Sequence, residues 1–180
     1  MAITATDILF KLSVVADAGN TTAGTPATSL GDQISTTQIT DAQLNNLFDD
    51  VSGDENAASD VEYRCIFVHN AHATLTWQTV VVWLSAEVSG GANAAIAIDD
   101  LAASAIGAAV AQADVIADEN TAPGTGVGTF SSPTTKATGL SVGNIAAGYC
   151  RAIWVKRSAA NSTALDSDGV TIRCEGDTAA

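Results

Sequence analysis

Residues 59–88 read SDVEYRCIFVHNAHATLTWQTVVVWLSAEV, the densest run of strand-forming side chains in the chain. Val61, Tyr63, Ile66, Phe67 and Val68 make one block, and Leu75, Trp77, Val80, Val81, Val82, Trp83 and Leu84 make a second. β-branched and aromatic side chains suit a half-buried pleated surface. Between the blocks, Asn70-Ala71-His72-Ala73 is short and polar enough to turn. The two blocks therefore predict an antiparallel hairpin at the core of a β-sandwich.

Further strands lie on either side. Tyr149–Arg157 alternates, and Gly169–Glu175 is expected to point Val170, Ile172 and Cys174 inward and Thr171, Arg173 and Glu175 outward. Asp166-Ser167-Asp168-Gly169 reads as the turn between them. Ile96 and Ile98 mark a short strand. In Ile8–Val15 the residues Ile8, Phe10, Leu12 and Val14 form an apolar face. Residues 16–38 are rich in Gly, Thr, Ser and Ala and cannot build a core. Residues 1–38 are accordingly predicted to be an extended N-terminal arm, able to lie on a neighbouring subunit through Ile8, Phe10, Leu12 and Val14, with residues 39–180 forming one sandwich domain. Thr40 and Gln43 resemble a capping box, with Leu44, Leu47, Phe48 and Val51 at helical spacing behind it. Asp99 or Asp100 is the expected cap of an Ala-rich helix over residues 99–113. Many short strands with Gly-rich turns and one or two short helices predict an all-β antiparallel sandwich, immunoglobulin-like or jelly-roll-like.

The chain has 180 residues, enough for one domain without a metal or disulfide staple. Its three Trp, two Tyr and four Phe are few, so the core is expected where the large residues cluster. Twenty acids against seven bases give a formal net charge of −13, which argues against a nucleic-acid partner. No apolar run approaches the ~20 residues needed to cross a bilayer. The N-terminal residues lack a basic stretch followed by an apolar block, so they do not read as a signal peptide, and a cytoplasmic site of assembly is expected.

Candidate chemistry is sparse. Gly139-Leu140-Ser141-Val142-Gly143 matches a nucleophile elbow, but no helix is expected after it and no histidine follows Ser141. His69 and His72 read as turn residues rather than metal ligands. Asp166–Gly169 lacks the remaining ligands of a calcium loop, and Gly124–Gly128 has no Lys-Ser/Thr after it and so does not read as a phosphate loop. No catalytic residue, cofactor or metal is expected. Cys65, Cys150 and Cys174 fit no zinc spacing. Cys65 and Cys174 both fall on expected inner faces and are the candidate disulfide or thiol pair.

Asn45–Glu55 (NNLFDDVSGDE) and Glu62–Asn70 (EYRCIFVHN), with Ala152–Arg157 and Asp168–Arg173, resemble virion structural proteins of tailed bacteriophages. The resemblance implies a non-enzymatic particle protein. The first expectation is a capsid decoration, or cement, protein on the outer surface of the head, assembled in the bacterial host cytoplasm. Its expected partners are the major capsid protein and further copies of itself, as a homotrimer or another homo-oligomer, with no nucleic acid and no membrane. A tail, collar or baseplate component is the alternative. A carbohydrate-binding adsorption module is a third reading, and it would use Trp77 as an exposed aromatic.

Overall fold

A computed structural model describes residues 2–163, 165 and 167–178. Ten strands carry the fold: β1 (Ile8–Val14), β2 (Gly31–Gln38), β3 (Val61–Asn70), β4 (Trp77–Glu87), β5 (Asn93–Ile98), β6 (Ser104–Ala105), β7 (Ala113–Val115), β8 (Leu140–Ile145), β9 (Tyr149–Ser158) and β10 (Val170–Thr178). They form two antiparallel sheets. The larger runs β5-β9-β3-β1-β2-β7, with β6 also on β9, and the smaller runs β10-β4-β8. The all-β sandwich is as expected.

The expected hairpin is not. Both of its strands exist, but β3 pairs with β1 and β9 in the large sheet, while β4 pairs with β10 and β8 in the small one. The link between them crosses the sandwich as an arch. Asn70 fixes this corner by donating through Nδ2 to the carbonyls of Leu75 and Ile145, at 2.8 and 2.9 Å. His72 Nδ1 accepts from the amides of Thr74 and Leu75, which coils the link out of the plane of β3. The β9–β10 connection likewise passes from one sheet to the other. Asp166 of its expected turn lies outside the described residues.

The arm is also corrected. β1 is an inner strand, bonded to β3 from Ile8↔Asn70 to Leu12↔Ile66 and to β2 on its other side. Ile8, Phe10 and Leu12 pack into the chain's own core, and Val14 is buried as well. Residues 16–30 contain no long strand, but small polar groups tie them down. Ser29 Oγ donates to the Cys65 carbonyl at 2.6 Å and accepts from the Ser13 amide. Residues 2–38 thus belong to the sandwich, because short hydroxyl side chains satisfy backbone that an apolar count treats as loose.

Neither predicted helix forms. Ala42 and Asn45 have φ near +56°, which a right-handed helix cannot accept. The capping box instead belongs to Ser52 and Glu55, opening the six-residue α1 (Gly53–Ala58). Residues 99–113 are loop with β6, because Asp99 uses its side chain to bind backbone and Trp154 rather than to cap a helix.

The large sheet is covered on both faces. Its inner face presents Leu12, Ile66, Val68, Ile96, Ile153 and Val155 to Trp77, Val80, Val82, Leu84, Val142 and Ile145 of the small sheet. Val170, Ile172 and Cys174 complete that core from β10, as the alternation predicts. The outer face holds Cys65, Phe67, Cys150, Ala152 and Trp154, packed with Ala113 of β7 and with Ile106, Ile116, Val127 and Phe130 of the loop layer.

Candidate functional site

The most concentrated polar chemistry lies where the outer loop layer meets β5 and β9. Asp99 directly follows β5 and is fully buried. Its Oδ2 accepts from Trp154 Nε1 and from the Asp114 amide, both at 2.9 Å, and Oδ1 accepts from the Leu101 amide at 3.0 Å. Arg151 donates from Nη2 to the Asp99 carbonyl at 2.8 Å. Asp100 and Asp114 stand beside it. One oxygen from each of the three carboxylates lies within 4.8 Å of the others. Burial, then Asp99 and Asp100, raise the Asp114 carboxyl above its ordinary value. The Gly124–Gly128 loop closes against this cluster: the Asp100 amide donates to the Gly126 carbonyl, and a side chain at Gly126 would strike the Asp114 carboxylate. Three such oxygens could hold a hard cation. The sequence reading missed the cluster. Its signal was the Asp99-Asp100 pair, read there as a helix cap.

A second cluster sits at one end of the inner face. Arg64, 2% exposed, pairs with Glu119, and Arg157 pairs with Glu62 and Asp49. Both guanidinium groups stack on Phe48, at 5.3 and 4.8 Å from the ring centre. Burial raises the Glu62 carboxyl, against the pull of Arg157 and Arg64. A shallow hollow of about 300 Å³ opens over Arg64, Glu119, Asp49 and Asn45.

The remaining candidates are dispersed. His69 and His72 do not converge. His69 is 5% exposed on the outer face of β3, with neither ring nitrogen bonded, and burial followed by the charge of Lys11 holds its pKa down at about 4. His72 lines a hollow at the arch with Asp7 and Leu75. Cys65 and Cys174 are free and belong to the cores on opposite faces of the large sheet, so the candidate pair is not brought together. Burial pushes the thiols of Cys65 and Cys174 well up and that of Cys150 to about 12. Ser141 lies within β8, and among the described residues no helix follows it. Trp77 is 5% exposed, which removes the exposed aromatic of the carbohydrate reading.

Every cationic side chain already has a partner within the chain. Lys11 donates to Asn20 Oδ1 at 2.7 Å, Lys136 to Glu175 at 2.5 Å, and Arg151 to the Asp99 carbonyl. Arg64 and Arg157 are in the cluster above. Lys156 lies over Phe130 and Arg173 over Trp83, at 5.8 and 5.6 Å. No family model, curated protein or solved structure matches the chain.

Proposed function

We propose that this chain is a non-enzymatic structural protein of a virus particle, of tailed-bacteriophage type, that binds the outside of the head as a decoration protein. The observation that carries the reading is the use of all seven bases in internal contacts. The exposed charge left over is acidic. A phosphate backbone requires free clustered Lys and Arg, whereas an acidic shell suits the outside of a container packed with nucleic acid and steers the chain toward a basic protein surface. The doubly covered large sheet supplies a rigid body for repeated docking, and repetition on a lattice multiplies a modest affinity per site.

The test is binding of the purified chain to heads that lack it. Binding should saturate in proportion to the capsid lattice and weaken as salt rises, and coated heads should survive heating that empties bare ones. Density for the chain on the tail, or its absence from purified particles, would refute the reading.

A further inference from the structure

β10 is the terminal strand of the small sheet, and along its nine residues only the side facing β4 is paired. Among the described residues, no main-chain hydrogen bond joins its other side to another segment. An unpaired edge of this length is a template for strand addition. Natural edges are usually shortened, kinked or given repulsive charge, and the charges here do something different.

The exposed positions of β10 are Thr171, Arg173, Glu175 and Asp177, alternating with Val170, Ile172 and Cys174, which face the core. A second β10 laid antiparallel about Cys174 sets Arg173 opposite Glu175 of the second copy and Glu175 opposite its Arg173. It also sets each Thr171 opposite an Asp177. Moving the centre by one residue places Arg173 against Arg173, or Glu175 against Glu175. Centring on Gly176 places Glu175 against Asp177. Opposite charges directly across an antiparallel pair stabilise it, and like charges oppose it. Centring on Glu175 gains two Arg173–Asp177 pairs but sets Glu175 against Glu175, so of these registers only the one about Cys174 pairs opposite charges without any like-charge pair.

We propose that β10 is a self-complementary interface through which two copies of this chain associate about a two-fold axis at Cys174, joining two three-stranded sheets into one of six strands. Such an interface is isologous and closed: each β10 covers the other, and no β10 edge remains to propagate a filament. The association requires only this chain and stands apart from any role in a particle. The acidic surfaces of the two copies repel at long range, and salt near 0.15 M screens that repulsion beyond about 8 Å.

Sedimentation equilibrium of the purified chain at about 0.1 mM, in about 0.15 M salt, decides the matter. The expected result is a dimer. Arg173→Glu sets two acid pairs across the axis and should weaken association at least about tenfold. Thr171→Asp, which places an acid opposite each Asp177, should weaken it by about the same factor. The double variant Arg173→Glu/Glu175→Arg should restore the dimer. That rescue cannot come from within one chain, because the swap abolishes both the Arg173–Trp83 stacking and the Lys136–Glu175 pair. Circular dichroism of each variant confirms that it is folded. A wild-type monomer overturns the proposal. So does a folded Arg173→Glu variant that dimerises like the wild type, or a folded swap that stays monomeric.

Discussion

His69 makes stability depend on pH over a defined window. The ring lies on the outer face of β3, opposite Cys150 of β9 and Leu9 of β1, with Lys11 as its charged neighbour. Its folded pKa is about 4, against an ordinary value of 6.5. Between these values the unfolded chain takes up a proton that the folded chain refuses. The stability associated with neutral His69 is therefore complete above about pH 6.5 and is lost progressively as pH falls to about 4, with no further change below. Each pH unit of that window is worth about 1.4 kcal/mol, so the loss is about 3 kcal/mol. His69→Leu removes the titration and replaces two unbonded ring nitrogens with methyl groups. At neutral pH the variant should match or exceed the wild type, by about 1 kcal/mol. The assay is urea unfolding, followed by the fluorescence of the three buried tryptophans, at steps from neutral pH to about pH 4. Carboxylate titration is common to both proteins and cancels in the difference. The wild type should lose about 3 kcal/mol relative to the variant across the window. A difference that stays flat with pH would refute the reasoning.

Other substitutions test the polar clusters. Asp99→Asn puts an amide where the carboxylate accepts three donors, so at least one of Trp154 Nε1 and the amides of Leu101 and Asp114 is left unpaired; a loss of about 2 kcal/mol is expected in urea unfolding. Arg157→Met leaves Glu62 buried without its partner and should cost about 3–5 kcal/mol, with the melting temperature partly recovered by a second change, Glu62→Gln. Thiol titration without reductant should find all three cysteines free after unfolding, and almost none reactive in the native protein. Detection of a Cys65–Cys174 disulfide would overturn the placement of those residues on opposite faces.

Strands were legible in the sequence where alternation is local. Val170, Ile172 and Cys174 face the core as their spacing predicts, β3 and β4 lie within the expected run, and β9 exceeds its own by one residue. Pairing was not legible, because adjacency in sequence says nothing about whether an edge is already taken. β3 is buried on both faces and flanked on both sides, so no edge remains for β4. The inner-strand role of Ile8–Val14 was hidden by the Thr/Ser-rich segment after it, whose order depends on contacts such as Ser29 Oγ to the Cys65 carbonyl, 36 positions away. The Asp99 cluster was hidden for the same reason: its indole donor, Trp154, lies 55 residues further along.

Net charge alone also understates what a partner meets. Twenty acids and seven bases could produce a mixed surface with local basic patches, and composition cannot exclude one. Folding decides against it by drawing the bases inward or sideways. Arg64 and Arg157 anchor an end of the inner face, Arg151 holds the Asp99 turn, and Lys11 lies beneath the outer layer. Arg173 and Lys136 remain near the surface, but they lean onto Trp83 and Glu175 over the small sheet. A like-charged surface opposes close approach of two copies everywhere except where opposite signs are presented in register. β10 offers Arg173 and Glu175 two residues apart on a free edge. If copies of this chain meet through a strand, electrostatics favours that one.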